Sequence, residues 1–393
     1  MGFITATMFL NFMGLTIVIP VIPYIIGDYT THTALFVGLI TSCGAFFQFL
    51  AGPSLGYVSD IFGRRPVVLL SLLGGVVGYI VFGIGGSLWM LFLGRIIDGI
   101  SSGDTPAMFA YIADVYEPRE RGKYYGILGA AGGLGFMAGP VIGGLAAEVS
   151  LTTPFFVAAV VSLLNVCWGY FVMPESLKPG HEAHKFRISH INPFVQFRIA
   201  LTSFTLRMLF FVSFIFFIAI VMQQSNFTVF LKDILNWGPA NIGIMLTVVG
   251  LVDFFAEGYL VGKLLPIFGD MRVSRVGIIL AAIGMFLISL VPLTGSSAVL
   301  YVAIVFYTIG DGLFEPAMTG IIANATEAHM QGRVQGANQS IQSVARFIAP
   351  LTAGFLYERT AALPYIVSGA MMIATFVILF VIAPKLRFVK AKI

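Results

Sequence analysis

The sequence predicts an all-α integral membrane protein with twelve transmembrane helices in two pseudo-symmetric six-helix bundles. Three observations support this fold class. Of the 393 residues, 58% are hydrophobic and only 10% are charged, against about 25% charged in soluble domains. Apolar runs of about 20 residues, long enough to cross a hydrocarbon core, recur along the chain. Segments of the second half also repeat segments of the first at a nearly constant spacing.

Each apolar run is predicted to be a helix, because backbone groups in lipid must pair within their own segment. Predicted spans 1 to 6 cover roughly 3–27, 34–59, 66–86, 88–113, 122–147 and 153–173. Predicted spans 7 to 12 cover roughly 208–231, 240–262, 274–292, 298–325, 332–357 and 364–383. The longest polar interruption separates the two sets. The predicted domains are therefore a bundle at 1–173, a cytoplasmic linker at 174–207 and a bundle at 208–393.

Lysine and arginine placement predicts the orientation, because cytoplasmic loops carry an excess of both. Of the 22 basic residues, 18 lie on the side that holds both termini and the linker. Lys232 and Arg359 lie on the other side, and Arg95 and Arg346 fall within spans. We therefore expect a multi-pass protein of the cell membrane (plasma or inner) with both termini in the cytoplasm. The net charge of +4 is a topology signal, so no nucleic-acid partner is expected.

The two halves resemble each other at two places. Residues 105–123 align with 315–333 at an offset of 210, and this alignment then superimposes Pro140 on Pro350 and Gly144 on Gly354. Near the second span of each half the offset is 206, with matches of Gly52, Gly56, Phe62 and Gly63 to Gly258, Gly262, Phe268 and Gly269. Parallel repeats of this kind are typical of transporters whose substrate site lies between the halves.

The stretch GYVSDIFGRRP (56–66) places three charges between two long apolar runs. Its glycines, aspartate and arginines resemble the cytoplasmic loop signature of the major facilitator superfamily. The segment 94–99 resembles that family's fourth-helix motif, and 135–144 resembles the fifth-helix motif of proton-coupled antiporters. Residues 11–23 are similar to the first helix of the tetracycline and multidrug antiporters. The resemblance covers essentially the whole chain and implies this fold and proton-coupled drug export.

The resemblance also implies a charged cytoplasmic gate around the loop. We expect Gly56 to permit close helix approach and Gly63 to support the tight turn, with Asp60 capping a helix or pairing with an arginine. Asp114 is the expected partner of Arg64 or Arg65. The predicted gate comprises Gly56, Asp60, Gly63, Arg64, Arg65, Asp114 and Glu257. In the second half Pro266 stands where Asp60 would be, so the gate is expected to be asymmetric.

Acids within the spans are the candidates for proton coupling, because charge inside a membrane is costly and usually functional. Asp253 and Glu257 lie four residues apart, as do Asp311 and Glu315, and such pairs repel when both are ionised. In a low-dielectric cavity one acid of a pair would hold its proton near neutral pH. Structural pairing with Arg346 or with polar groups is the alternative interpretation.

In the first half, Arg95 is followed by Asp98 on the same helical face. One interpretation is an ion pair, which lowers the free-energy cost of placing both charges in the membrane. The other is that Arg95 modulates the proton affinity of an acid in the central cavity. Asp104 has no partner nearby in sequence, which makes it the better proton or substrate candidate. The tetracycline antiporters carry an aspartate where this chain has Asn11. Multidrug relatives without it use acids in helices seven and ten, which correspond here to Gln224 and the vicinity of Asp311.

Amides and small residues complete the candidate site. An amide-rich stripe on span 11 and amides in span 7 are expected to face the bundle interior, and the candidates are Gln223, Gln224, Asn226, Gln339, Gln342 and Arg346. The fifth-helix run lets another helix pack closely, and its candidate residues are Gly135, Gly139, Pro140, Gly143 and Gly144. It is either a pliable seam between the halves or ordinary tight packing.

The resulting functional prediction is a secondary active transporter, a proton-coupled antiporter that exports drugs or lipophilic or cationic small molecules by alternating access. No enzyme activity, metal or cofactor is expected, and the proton is the coupling ion. The sequence has no GxxxxGK[ST] loop for ATP, and both cysteines lie in apolar runs. The expected partners are a small-molecule substrate and the lipid bilayer, and the protein is expected to work as a monomer. Alternatives are a facilitator or symporter for a sugar or other metabolite, a lipid flippase, and a non-transporting receptor or scaffold.

Overall fold

The computed structural model describes residues 2–102, 104–117, 119–177, 203–326 and 330–390, with side chains except at 104, 332 and 385–390. The described residues are helical with short connections, and they contain no strand. Ten helices among them are long and apolar enough to cross a membrane. Spans 4 and 11 are not among these ten, because span 4 is divided into two shorter helices and span 11 is less apolar.

In the first half, span 1 is Gly2–Gly27, interrupted by a short 3-10 turn at Ile19–Val21, and span 2 is Thr33–Phe62. Span 3 is Arg64–Ile84, span 5 is Arg121–Ala146 and span 6 is Thr153–Val172. In the second half, spans 7, 9, 10 and 12 are Phe204–Leu235, Asp270–Thr294, Ser297–Asn324 and Leu363–Lys390. Span 8 runs from Pro239 to Phe268 and contains a π-helical turn at Ala256–Val261.

Span 4 is two helices, Leu88–Ser101 and Asp104–Val115, so the predicted continuous helix at 88–113 is wrong. The sequence at the break, SSGDTP, explains the interruption. The Ser102 hydroxyl donates a hydrogen bond back to the Asp98 carbonyl oxygen at 2.8 Å, a bond that competes with the helical ladder. A glycine follows, and Asp-Thr-Pro is a helix-start signal. The sequence therefore contains a signal for a helix break at this point. The prediction of one continuous helix followed the hydropathy of the whole run instead.

Span 11 is Gln331–Tyr357, and it falls outside the ten apolar helices because its amides lower its hydropathy. Such a helix is stable in a membrane only when its polar face is turned away from lipid.

By their contacts, the residues form two compact units. Unit 1 comprises Met1–Thr33, Cys43–Pro193 and Trp237–Val248. Unit 2 comprises Ala34–Ser42, Phe194–Asn236 and Val249–Ile393. The first residues of spans 2 and 8 thus each group with the unit built mainly from the other half of the sequence.

The sequence repeat has a structural counterpart in each unit. In unit 1, a Cβ at Gly243 would lie 3.0 Å from the Pro140 carbonyl carbon and 3.3 Å from the Gly144 Cα. In unit 2, a Cβ at Gly38 would lie 3.0 Å from the Pro350 carbonyl carbon. Each of the two matched prolines therefore contacts a glycine of another helix through its own carbonyl group.

Candidate functional site

Four carboxyl groups converge in unit 2, from spans 8 and 10. A Cβ at Gly312 of span 10 would lie 3.4 Å from the Asp253 Oδ1 atom and 2.9 Å from the Ala256 Cβ atom. The absence of a side chain at Gly312 thus lets span 8 approach span 10 closely. Asp311 interacts electrostatically with Asp253, Glu257 and Glu315. Because all four groups carry the same charge when ionised, the cluster is self-repelling.

The π-helical turn of span 8 begins between the two acids of that span. Glu257 lies inside the turn, and Asp253 lies in the α-helix before it. Single π turns inside α-helices are frequent at functional sites. Glu257 interacts electrostatically with Asp253 and Glu315, so it belongs with the carboxyl cluster. It was predicted as part of the cytoplasmic gate, but the described ion-pair partners of Arg64 are Asp60 and Asp114.

Asp311 and Glu315 line a cavity that lies within unit 2. Its wall combines aromatic rings with polar groups, and the lining includes Phe216, Phe217, Phe314, Ser213, Asn338 and Gln342. The rings of Phe216 and Phe314 stack with centroids 3.7 Å apart. Aromatic faces and carboxyl groups both attract cations, so the chemistry of this lining favours a positively charged ligand.

Arg346 lies at the edge of this site, with its guanidinium carbon 5.5 Å from the centroid of the Phe217 ring. It attracts the Glu315 carboxylate, and the Gln342 amide also lies beside that carboxylate. Span 11 therefore supplies one counter-charge to a cluster of four acids.

The structure separates the span 7 amides. Gln224 is exposed, whereas Gln223 and Asn226 are buried, at 2% and 0% exposure. Neither buried amide lines the carboxyl cavity. On span 11, Gln339 is exposed, and Gln342 reaches the cavity lining together with Asn338, which was not among the predicted residues.

A second cavity lies within unit 1. It is lined by Asn11 and Asp98 together with hydroxyl groups, namely Ser71, Tyr79, Ser101, Ser102 and Ser162. The Arg95 Nη1 atom lies 3.0 Å from the Asp98 Oδ2 atom, and both side chains are mostly buried. The pair is therefore an ion pair within span 4. Asp104 begins the second helix of that span, and its side chain lies outside the described atoms.

The charged loop after span 2 forms a cluster around Arg64. The Arg64 guanidinium lies 2.5 Å from the Asp60 carboxylate and 3.0 Å from the Asp114 carboxylate, and it donates to the Ser59 hydroxyl at 2.6 Å. Its side chain is only 10% exposed. A buried guanidinium with two acids is well compensated, and losing the guanidinium would leave the two carboxylates without a counter-charge. Arg65 instead donates to the Tyr170 carbonyl oxygen and lies over the Tyr170 ring.

Gly63 and Gly56 have different roles in this loop. Gly63 has φ 105°, which favours glycine, and it makes the turn between spans 2 and 3. No described atom lies within 4 Å of the place where a Cβ would stand at Gly56. The close helix approach expected at Gly56 is therefore not found among the described atoms.

Glu175 is a member of the cluster that the sequence reasoning missed. It follows span 6, and its carboxylate accepts hydrogen bonds from the backbone N–H groups of Arg64 at 2.9 Å and Arg65 at 3.2 Å. Those groups are the first, unpaired donors of span 3. An acid at a helix N-terminus also interacts favourably with the helix dipole. In the sequence, Glu175 can be recognised only as an acid that follows a span. No local pattern identifies the backbone groups that it bonds.

We expect Glu175→Ala to lower the stability of unit 1. The change removes a charged acceptor from two backbone donors, so the loss should be about 1–2 kcal/mol, as for other helix caps. The measurement is the apparent unfolding temperature of the purified protein in detergent. Glu120→Ala is the matched control, because Glu120 precedes span 5 without a side-chain cap bond. Equal temperatures for the two variants would contradict the capping role.

The equivalent positions of the second half make a contact of different chemistry. The repeat offsets place Arg64 on Asp270 and Asp114 on Asn324. The Asn324 Nδ2 atom donates to the Asp270 Oδ2 atom at 3.0 Å. The position of the contact is therefore kept in both halves, but the guanidinium–carboxylate pair is replaced by an amide–carboxylate pair.

The fifth-helix glycines pack mainly against span 1, within unit 1. A Cβ at Gly139 would lie 2.6 Å from the Met13 carbonyl oxygen, and one at Gly135 would lie 3.0 Å from the Met13 backbone nitrogen. A Cβ at Gly143 would overlap the Ile17 carbonyl group, and one at Gly144 would lie 3.0 Å from the Ala240 Cα atom. Three glycines at steps of four thus form the seat of span 1.

The fold and the two cavities define a class: a polytopic α-helical transporter, with charged groups buried inside its helical units. A sequence model of the Major Facilitator Superfamily matches residues 4–350. The chain belongs to that superfamily.

Several characterised relatives span nearly the whole chain. The tetracycline resistance protein of class C from Escherichia coli is 31% identical over 374 residues, which are 94% of this chain and 93% of that protein. Multidrug resistance protein 1 of Bacillus subtilis is 30% identical over 371 residues, covering 91% and 90% of the two chains. The family and these relatives are transporters, so a small-molecule substrate and a membrane environment follow for this chain.

Solved structures agree on the fold. The human organic anion transporter is 21% identical, with a TM-score of 0.72 over 96% of this chain and 98% of its own. A POT family transporter in complex with 5-aminolevulinic acid is 15% identical, with a TM-score of 0.80 over 98% and 96% of the two chains.

Proposed function

We propose that this protein is a proton-coupled antiporter that exports drugs or other lipophilic or cationic small molecules. The observation that carries the proposal is the cavity in unit 2, where Asp311 and Glu315 face a wall of phenylalanines. The names of the relatives, tetracycline and multidrug resistance proteins, support the same substrate class.

The proposed mechanism uses the self-repulsion of the four acids. Binding a proton at Asp311, or at a partner acid of the cluster, relieves the repulsion and favours one orientation of the cavity. A cationic substrate relieves the same repulsion, so proton and substrate compete for the ionised cluster. A difference of one pH unit across the membrane is worth 1.36 kcal/mol per proton, or a tenfold concentration ratio. Inward proton flow is therefore sufficient to drive export, with no cofactor required.

The proposed setting is the cell membrane, with both termini in the cytoplasm and the monomer as the working unit. The lysine and arginine bias supports this orientation. It places the Arg64 cluster at the cytoplasmic end of unit 1, where we propose that it acts as a gate. The span 5 glycines are proposed to let spans 1 and 8 shift against span 5 during the cycle.

The test is transport of radiolabelled tetracycline in proteoliposomes with an imposed pH gradient. For one-for-one exchange we expect accumulation of about tenfold per pH unit, abolished by a protonophore. If neither tetracycline nor a panel of cationic and lipophilic drugs moves with the gradient, the proposal is overturned. Movement of a sugar or other metabolite without dependence on the gradient would instead favour a facilitator.

A further inference from the structure

A line of hydroxyl and carboxyl groups inside unit 2 begins where spans 7 and 11 end. The Tyr357 hydroxyl, at the end of span 11, donates a hydrogen bond to the Asp233 Oδ2 atom of span 7 at 3.2 Å. Lys232 and Glu358 are the charged neighbours that act on Asp233. The line therefore has a charged outer end on two adjacent helices.

Two further tyrosines extend this line inward. The Tyr365 hydroxyl, at the start of span 12, interacts electrostatically with the Tyr357 and Tyr307 hydroxyls. Tyr307 lies in span 10, four residues before Asp311, and so on the same helical face. Its hydroxyl also interacts with the Asp311 carboxyl group. The line thus ends at the carboxyl cluster of the proposed coupling site.

The hydroxyls of this line are buried and lack protein partners. Tyr365 is 0% exposed and Tyr307 is 2% exposed. Among the described residues, neither hydroxyl has a hydrogen-bond partner, and the Gln224 amide lies near Tyr307 but outside bonding geometry. The Oγ1 atom of Thr308 and the Oγ atom of Ser368 are buried without partners in the same spans. Buried polar groups are normally hydrogen-bonded, and bridging water is the usual partner when no protein group is in reach.

Packing alone does not account for these hydroxyls. The Tyr365 ring meets the Phe230 ring edge to face, with centroids 4.8 Å apart. A phenylalanine would keep this aromatic contact and would avoid burying a polar atom. The structure therefore retains two buried hydroxyls, which are costly, on the line between the exposed Asp233 and the carboxyl cluster.

We propose that Asp233, Tyr357, Tyr365, Tyr307 and Asp311 form the proton path between one end of unit 2 and the carboxyl cluster. The inference rests on the proposed antiport function. A proton from bulk water binds the Asp233 carboxylate. Each hydroxyl then takes a proton on its oxygen, directly or through bridging water, and releases its own to the next group. The Asp311 carboxylate ends as a carboxylic acid, so one proton has moved and no electron has.

The groups facing the inner end determine when the path delivers a proton. Asp311 is opposed by the carboxyl groups of Asp253, Glu257 and Glu315, while Arg346 compensates Glu315. When the other acids are ionised, they attract a proton to Asp311. When substrate occupies the cavity with its positive charge, that attraction weakens, so a proton on Asp311 and a bound cationic substrate exclude each other.

The test compares Tyr365→Phe and Tyr307→Phe with the wild type in proteoliposomes that contain a pH-sensitive dye. We expect gradient-driven proton movement and tetracycline transport to slow about tenfold or more, as when a proton-transfer group is removed. Tetracycline counterflow at equal pH should stay at the wild-type rate. Tyr301→Phe is the matched control, because Tyr301 lies in span 10 but is 40% exposed and outside the line. It should leave both rates unchanged.

Each other outcome overturns the proposal. Wild-type proton movement in both phenylalanine variants would show that the hydroxyls do not conduct. Equal losses of counterflow and gradient-driven transport would assign them to structure. A wild-type protein that moves tetracycline in counterflow but not with a pH gradient would remove proton coupling itself, and the proposed function would fail along with the path.

Discussion

Asp311→Asn should abolish gradient-driven export while leaving the protein inserted in the membrane. The amide has nearly the same shape as the carboxyl group but cannot carry a proton. We expect the rate of gradient-driven tetracycline transport to fall about 100-fold or more. Counterflow at equal pH should survive, because the cavity keeps its aromatic wall and the Glu315 carboxyl group. The measurement is the ratio of the two rates in the same proteoliposomes.

Asp270→Asn is the matched control for this prediction. Asp270 is also an acid of unit 2, but it starts span 9 and accepts a hydrogen bond from Asn324 outside the cavity. Its substitution should leave the coupling ratio unchanged. Full gradient-driven transport by Asp311→Asn would exclude Asp311 as the coupling acid, and Asp253, Glu257 and Glu315 would become the candidates.

Gly143→Ala should destabilise unit 1 and sharply lower transport. The added methyl group would overlap the Ile17 carbonyl group, which is backbone and cannot rotate away. Span 1 must therefore move off span 5, and overpacking of this kind costs about 1–3 kcal/mol, occasionally more. The apparent unfolding temperature in detergent and the tetracycline transport rate measure the two effects.

Gly133→Ala, in the same helix, separates packing from helix propensity. No described atom lies within 4 Å of the place where its Cβ would stand. Alanine should be neutral there or stabilising by about 0.5–1 kcal/mol, since glycine is a poor helix former. If Gly143→Ala unfolds at the same temperature as Gly133→Ala, the seat of span 1 does not depend on this glycine.

Hydropathy and the repeat predicted most of the fold. Ten of the spans are apolar enough to be recognised by composition, because lipid leaves a helix few alternatives. The contact of Arg64 with Asp114 was expected from the resemblance of the loop to the charged gate of the family. The sequence alignment superimposes Pro140 on Pro350, and in the structure both prolines contact a glycine of another helix.

Other features depend on three-dimensional placement that the sequence does not specify. Glu175 is sequence-remote from the helix that it caps, so no local pattern identifies its partner. Gln223 and Gln224 are adjacent, yet a helix turns about 100° per residue, so the first side chain is buried and the second is exposed. The convergence of Asp253 with Asp311 depends on the close approach at Gly312, which is a property of two packed helices and not of either alone.

The contact between Asp270 and Asn324 constrains how the second half can change over evolutionary time. It occupies the positions of the Arg64 and Asp114 ion pair, with an amide where the first half has an acid. Asn324→Asp as a first step would set two carboxylates against each other. Asp270→Arg as a first step would leave a guanidinium beside an amide oxygen, which it can bond. Of the two single changes that lead toward an ion pair at these positions, only Asp270→Arg therefore keeps a favourable contact.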